Sequence, residues 1–221
     1  MHQKMNAYMA DLLGNGVEPA DDATVDAARL FYWKKYGATL LGLIEHHNVK
    51  PAEFLQYAHE FDNLPHMMRF ESGLKKLLKR LPGRKILFTN APRQYARQVV
   101  SELGLQGHFD QHISIEAMQI HGRLRPKPSR WLLKKIMAKR RLRASRCVLI
   151  EDSRDNLRTA RELGLKTVWV TQYFNHALQQ NSQQGSQQIQ QQIKRFSRAG
   201  YIDIKIRSIK QLPSHLSRLG L

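Results

Sequence analysis

The stretch Lys85–Pro92 constrains the fold of this chain more than any other part of the sequence. It reads Lys-Ile-Leu-Phe-Thr-Asn-Ala-Pro. The apolar run Ile86–Phe88 is long enough for a buried parallel strand and too short for a helix. Thr89 and Asn90 then bring small hydrogen-bonding side chains, and Pro92 suits the first position of a helix. Because ligands of open α/β sheets bind where strands end and helices begin, this stretch predicts an anion site, above all for phosphate.

The sequence after this stretch continues to alternate between helix and strand patterns. Helical patterns cover residues 72–81, 92–103, 130–142 and 154–163, and the third of these is strongly basic. Strand patterns lie at residues 112–115, 147–150, 166–170 and 201–206. Alternating strands and helices with short connections predict an α/β fold with a doubly wound parallel sheet over residues 70–221.

The first part of the chain has a different pattern. Residues 1–69 contain four helical segments and no strand pattern, so they predict a compact all-helical module. Residues 179–192 consist almost entirely of Gln, Asn and Ser, and such a segment cannot bury a core. We therefore predict two domains, 1–69 and 70–221, with a mobile loop at 179–192 in the second.

Composition narrows the classes of protein to consider. The chain is 42% hydrophobic, with no apolar run near the length of a membrane span and Cys147 as its one cysteine, so we expect a soluble cytoplasmic protein. Its net charge of +18 would attract nucleic acid or a phosphorylated ligand. No RNA- or DNA-binding signature accompanies the charge, and a solvated basic surface is the favoured interpretation. The sequence does not indicate an oligomeric state.

Two further groups of polar residues stand where predicted strands end. Lys127 lies between two prolines that stiffen its backbone, which favours a positioned ammonium over one more surface lysine. Glu151 and Asp152 follow an apolar run directly, and an adjacent pair of carboxylates suits magnesium. The alternative is that Asp152 or Ser153 only caps the next helix, which would explain one residue of the pair.

Together, Thr89, Asn90, Lys127, Glu151 and Asp152 provide a hydroxyl, an amide, a fixed cation and an acidic pair. Phosphoryl transfer depends mainly on positioning and charge neutralisation, so the set predicts a phosphate clamp.

Weaker candidates lie nearby in the sequence. Tyr32 and Tyr36 could stack on a nucleotide base, although residues at helical spacing are more often core. Arg93 and Arg125 follow or precede the clamp residues and could contact phosphate, or could be solvated.

These residues resemble the haloacid dehalogenase superfamily of phosphohydrolases. Phe88-Thr89-Asn90 is similar to its second motif, Lys127 to its third, and Glu151-Asp152 with Asn156 to its fourth. The finer resemblance is to the pyrimidine 5'-nucleotidase branch, and it is carried by residues 32–43, His46-His47, residues 88–92 with Tyr95, and residues 168–170.

The resemblance implies a Rossmann-like core with a helical cap that closes over the substrate, and hydrolysis of nucleoside 5'-monophosphates or other small phosphate esters with magnesium (Mg2+). It implies that Thr89, Asn90 and Lys127 hold the phosphoryl oxygens, that Glu151 and Asp152 hold the metal, and that Lys127 and Asp152 belong to the catalytic machinery. Asn156 joins the weaker substrate candidates.

One element of the family pattern is absent. The first motif of the superfamily is an Asp-x-Asp pair, whose first Asp is the nucleophile, on the central strand of the sheet; this sequence contains no Asp-x-Asp. We therefore expect a shortened form without measurable phosphatase activity. The alternatives are a non-catalytic protein that binds nucleotides or RNA, and a non-functional fragment.

Overall fold

The computed structural model describes residues 2–172 and 199–220, so the predicted loop at 179–192 lies outside the described residues. The chain has a mixed α/β fold with a helical N-terminal region. The α-helices of the described residues are α1 (His2–Leu13), α2 (Asp22–Tyr36), α3 (Thr39–His47), α4 (Pro51–Ala58), α5 (Leu64–Met67), α6 (Leu74–Arg80), α7 (Arg93–Glu102), α8 (Arg130–Lys139) and α9 (Arg154–Glu162). The strands are β1 (Ile86–Phe88), β2 (Gln111–Ile113), β3 (Gln119–Ile120), β4 (Arg123–Leu124), β5 (Val148–Glu151), β6 (Lys166–Val170) and β7 (Ile204–Ile206). None of these helices has the length and apolar character that a membrane crossing requires.

The chain divides into two compact units. Unit 1 comprises Met1–Lys75 and Arg84–Pro126, and unit 2 comprises Lys76–Gly83 and Lys127–Leu221. Because the second segment of unit 1 begins with β1, the helical N-terminal region shares its unit with the β1–α7–β2 segment. The predicted domain boundary between residues 69 and 70 stays a prediction.

Helices α1 to α5 build the helical part of unit 1, as the absence of a strand pattern predicted. Asp21 caps α2, because its side chain accepts a hydrogen bond from the Thr24 N–H at 2.7 Å. The helix accordingly begins at Asp22. Helices α2 and α3 approach closely at Gly42, where a Cβ atom would lie 2.2 Å from the ring of Tyr32. A side chain at Gly42 would therefore displace a buried aromatic ring.

The rest of unit 1 contains one parallel strand pair and one hairpin. β1 pairs with β2, with Leu87 opposite His112. β3 and β4 form an antiparallel hairpin that the strand patterns did not predict. Its two loop residues, His121 and Gly122, have φ angles of 49° and 74°. Positive φ at both positions is typical of a type I′ turn, which joins paired strands with little distortion.

Unit 2 is built on the parallel sheet β5–β6–β7. Its core includes Val168 on β6 and two isoleucines of β7, packed with Leu212 and Leu219 from the C-terminal 3₁₀ turns. Asp203 ties β6 to β7, because one carboxylate oxygen accepts from the N–H of Thr167 at 2.8 Å. Among the described residues, β7 is an edge strand of this sheet.

The predicted parallel strands are confirmed, with small changes in their bounds. Among the described residues, however, they form two sheets: β1 pairs with β2, while β5 pairs with β6. β1 and β5 are the strands that carry the two predicted polar turns, and no ladder hydrogen bonds join them.

Candidate functional site

A buried ion pair lies at the end of β5 in unit 2. The Lys127 Nζ atom is 2.7 Å from the Glu151 Oε2 atom, and the two side chains are only 13% and 10% exposed. Lys127 stands between Pro126 and Pro128, and Glu151 is the last residue of β5. A stiff backbone on one side and a strand end on the other hold the ammonium in one place.

The second oxygen of Glu151 organises the turn between β5 and α9. Its Oε1 atom accepts hydrogen bonds from the N–H groups of Asp152 at 3.1 Å and Ser153 at 3.2 Å. Ser153 precedes α9 at the N-cap position, but its side chain makes no capping hydrogen bond. The polar pair at this strand end is therefore arranged around Glu151 rather than around a helix cap.

The two neighbouring carboxyl groups have opposite pKa shifts. Burial disfavours the charged form of Glu151, but the hydrogen bond from Asp152 and the charge of Lys127 outweigh it, so the pKa of Glu151 falls to about 2. The hydrogen bond to Glu151, burial and the charge of Glu151 raise the pKa of Asp152 to about 6. Of the two carboxyl groups, Asp152 is therefore the one that holds a proton more readily.

The turn is also held from the neighbouring strand. Trp169 on β6 is fully buried, and its Nε1–H donates to the main-chain oxygen of Asp152 at 3.0 Å. Asn156 lies in the first turn of α9 and is buried as well. The main chain at Asp152 is therefore fixed, while the Asp152 side chain remains exposed.

The fit of these residues to magnesium is incomplete. Magnesium takes six oxygen ligands, and proteins commonly supply one or two carboxylates. Glu151 already uses both oxygens, whereas Asp152 presents an exposed carboxyl group. The described residues hold no cluster of three or more His, Cys, Asp or Glu side chains suited to a metal. The chain thus offers a metal one carboxylate here, and the magnesium role predicted for Glu151 stays a prediction.

The polar turn after β1 lies in unit 1 and has a different structure. Thr89 extends the β1–β2 pairing, since its N–H donates to the Ile113 oxygen at 3.0 Å. Its hydroxyl accepts from the Ala91 N–H at 3.1 Å. At the start of α7, the Arg93 N–H donates to Glu116 Oε1 at 2.8 Å. A carboxylate of the protein therefore occupies part of the helix start at which the sequence predicted an anion.

Unit 1 also contains a cavity of about 910 Å³. Helices α3 and α4 contribute to its wall, together with the start of α7 and the β3–β4 hairpin. Tyr36, Tyr95, Arg123 and Arg125 all line it. Two of these, Tyr36 and Arg125, are weak candidates from the sequence. The hairpin was not predicted, and with it Arg123 was missed; the dipeptide His121-Gly122 is the signal that could have found the turn.

Tyr32 occupies the helical core instead of the cavity wall. It is only 5% exposed, and its hydroxyl lies 2.6 Å from Nε2 of His47. Burial, followed by the charge of neighbouring His46, lowers the pKa of His47. The substrate roles of Tyr32, Tyr36, Arg93 and Asn156 stay predictions.

The structure brings together Lys127, Glu151 and Asp152 in unit 2. Thr89 and Asn90 belong to unit 1. The assembly of all five around one phosphoryl group stays a prediction.

Comparison with known proteins identifies the family of this chain. A family model described as haloacid dehalogenase-like hydrolase matches residues 32–170, well over half of the sequence. A phosphatase of this family from Thermococcus onnurineus has a similar structure, with a TM-score of 0.58 at 15% identity; the match covers 97% of this chain and 89% of that one.

Two other solved structures extend the comparison. The L-2-haloacid dehalogenase of Xanthobacter autotrophicus matches with a TM-score of 0.52 at 13% identity, over 97% of this chain and 92% of that one. A hydrolase from Bacillus subtilis with bound magnesium matches with a TM-score of 0.51 at 13% identity and the same coverage. At these identities the likeness concerns the fold.

Proposed function

The chain belongs to the haloacid dehalogenase-like hydrolase family, and we propose that it binds the phosphoryl group of a small phosphate ester through Lys127 and the turn after β5. The preferred ligand is a nucleoside 5'-monophosphate, as in the pyrimidine 5'-nucleotidase branch. The one cysteine of the sequence suits a cytoplasmic setting.

The observation that carries this proposal is the ion pair of Lys127 with Glu151. A phosphoryl oxygen needs a cation at a fixed position, and the 2.7 Å contact with Glu151 holds the ammonium there. Glu151 is accordingly a positioning residue. The exposed Asp152 carboxyl, with a pKa raised to about 6, is the group beside it that can exchange a proton or meet a metal near neutral pH.

Considered by itself, the cavity in unit 1 has a lining that suits a nucleotide. Tyr36 and Tyr95 offer aromatic faces on which a base can stack, and Arg123 and Arg125 add cations at the same cavity. A volume of about 910 Å³ is within the range of small-molecule sites.

Magnesium supplies charge neutralisation at the phosphoryl group when it is bound. In this chain Asp152 is the residue that fits the metal, because both carboxylate oxygens of Glu151 already accept hydrogen bonds. With one protein carboxylate available at this turn, we expect weak binding of the metal alone. Titration calorimetry with Mg2+ should show no saturable binding below about 1 mM.

The lack of an Asp-x-Asp pair supports binding without turnover. Hydrolysis by this family begins with attack of an aspartate on phosphorus. Positioning of the phosphoryl group without that nucleophile should leave little turnover. The purified 221-residue chain should release no phosphate from UMP, CMP or p-nitrophenyl phosphate with Mg2+ present. Phosphate release that Asp152→Ala abolishes would contradict this.

Binding is tested separately from hydrolysis. We expect UMP to bind measurably by calorimetry at low ionic strength, and Lys127→Met to weaken that binding at least tenfold. Arg218→Met is the control, because it also removes one cation from unit 2. Equal affinity of the Lys127 variant and the parent would end the proposal.

A gain of function tests the nucleophile directly. A variant extended at its N-terminus by an apolar strand followed by Asp-x-Asp should acquire phosphatase activity, and the same extension with Asn-x-Asn should not. Folded extended protein that binds UMP without hydrolysing it would show that more than the nucleophile is missing.

A further inference from the structure

Helix α8 in unit 2 presents an exposed face whose composition the phosphoryl site does not explain. One side of the helix packs into unit 2 through the buried residues Leu132 and Leu133. The Ser129 side chain caps the helix by accepting a hydrogen bond from the Leu132 N–H at 3.2 Å. Helical periodicity then places one half of the surface in solvent. We call this half the α8 face, and it consists of Arg130, Trp131, Lys134, Lys135, Ala138 and Lys139.

Trp131 lies at the middle of the α8 face. It is 70% exposed, the largest exposed fraction of any aromatic residue among the exposed large hydrophobic side chains of the described residues. The Lys134 Nζ atom lies 5.8 Å from the ring centroid. The ring is therefore exposed to solvent, with the Lys134 ammonium beside it.

The positive charge of this segment is dense. No Asp or Glu occurs from residue 130 to residue 146. From α9, which packs against α8, Glu162 pairs with Arg130 at 3.3 Å. The basic residues of the segment are Arg130, Lys134, Lys135, Lys139, Arg140, Arg141, Arg143 and Arg146.

We propose that the α8 face binds single-stranded nucleic acid, with an unpaired base stacked on Trp131 and the flanking phosphates on the surrounding lysines. An exposed aromatic ring between cations is the combination that binds single strands without reading their sequence. A duplex buries the faces of its bases, so it cannot use the ring in this way.

An anionic membrane is the other polyanion to consider. Helices that bind membranes insert an apolar face into the lipid. The apolar residues of α8 instead face the interior of unit 2, where Leu132 and Leu133 are buried. Trp131 alone would remain for insertion, which favours the nucleic acid.

The test measures the binding of a fluorescein-labelled 20-nucleotide RNA to the full chain by anisotropy, at several salt concentrations. Lys134→Glu, Lys135→Glu and Lys139→Glu together should weaken binding at least tenfold and should reduce the slope of log K against log salt by about two. Trp131→Ala should weaken binding at least fivefold, while Trp131→Phe, which keeps an aromatic face, should retain most of it.

Helix α2 offers a matched control with the same residue types. Trp33, Lys34 and Lys35 are exposed there. Trp33→Ala with Lys34→Glu and Lys35→Glu should change the affinity less than twofold. Circular dichroism melts of every variant show whether it is folded.

Four results would overturn the proposal. The first is equal loss of binding in the α2 control, which would mean that net charge alone attracts RNA. The second is RNA binding that is unaffected in folded Trp131→Ala. The third is binding to vesicles of phosphatidylglycerol and phosphatidylcholine without binding to the RNA. Equal affinity for a duplex of the same length would also contradict stacking.

Discussion

Two turns of this molecule follow the same local pattern and have different structures. Each comes after a short apolar strand, β1 or β5, and each leads into a helix. After β1, the Thr89 hydroxyl accepts from the Ala91 N–H and Glu116 receives the first N–H of α7, so the polar groups complete the backbone hydrogen bonding. After β5, Lys127 and Glu151 form a buried ion pair, and the pKa of the adjacent Asp152 rises to about 6.

The difference shows what a polar turn at a strand end does and does not indicate. Small neutral side chains can hydrogen-bond the backbone groups that have no ladder partner where a strand ends. This role suffices to explain Thr89 in the described structure. A buried charge pair with shifted pKa values is costly to form, and such pairs concentrate at functional sites. The turn after β5 is therefore the stronger candidate site.

Replacement of Lys127 by Met should produce the largest loss of stability. Glu151 would stay buried without its cation, and removing one partner of a buried pair typically costs about 3 kcal/mol or more. Urea unfolding measures the change. Lys50→Met is the matched control, because Lys50 pairs with Glu53 at 3.0 Å but both side chains are well exposed, at 77% and 60%. That control should change the stability by less than about 0.5 kcal/mol.

A second variant distinguishes loss of the pair from loss of packing. In Lys127→Met with Glu151→Leu no buried charge is left, so much of the stability should return. If the double variant is no more stable than Lys127→Met alone, the cost lies elsewhere, and the β5 turn loses its distinction from the β1 turn.

Replacement of Thr89 by Val should cost about 1 kcal/mol, because the Ala91 N–H loses its acceptor while the side chain keeps its shape. Thr89→Ser keeps the hydroxyl and should remain within about 0.5 kcal/mol of the parent. The same urea measurement compares the two. Loss of UMP binding in Thr89→Val, with binding retained in Thr89→Ser, would assign the Thr89 hydroxyl more than a backbone role.

Replacement of Asp152 by Asn should give a change in stability that depends on pH. The pKa of Asp152 is raised from 3.8 to about 6, so its favourable contribution is complete below about pH 4 and is lost as pH rises through 6. The Asn variant lacks this dependence. Because the side chain is exposed and screened by water, the gain of the variant over the parent between pH 4 and pH 7 should be no more than about 1 kcal/mol.

Thermal melts of both proteins from pH 4 to pH 7 measure this difference. A parallel pH dependence of the two proteins would show that Asp152 titrates at its ordinary pKa.

Replacement of Glu116 by Gln should have the smallest effect. The amide oxygen can still accept from the Arg93 N–H, so only the attraction between the carboxylate charge and the helix start is lost. We expect a loss of about 0.5 kcal/mol that disappears in 1 M salt. A loss that persists in 1 M salt would indicate that the amide does not replace the hydrogen bond.

Much of the fold could be predicted because its signals are local. The apolar runs of β1, β5 and β6 each act within a few residues of sequence. The β3–β4 hairpin was missed because each of its strands has two residues, too few to show an alternating pattern. The turn dipeptide His121-Gly122 was the remaining signal.

The contacts of the site residues could not be predicted because they join distant parts of the chain. The pairing of Lys127 with Glu151 spans 24 residues, and that of Arg93 with Glu116 spans 23. In the sequence, Glu151 and Asp152 look like equivalent ligands. The structure shows that they differ. The carboxylate oxygens of Glu151 accept hydrogen bonds from Lys127 and two backbone N–H groups, while Asp152 stays exposed.

The contact between Lys127 and Glu151 also sets a condition on which anions can bind. An incoming ion must compete with a carboxylate that is already in place at 2.7 Å, so it gains only the difference between the two attractions. Chloride or nitrate, with a single charge, has little advantage over that internal competitor. A dianionic phosphate ester has about twice the charge, so the turn discriminates among anions by valence before any shape recognition begins.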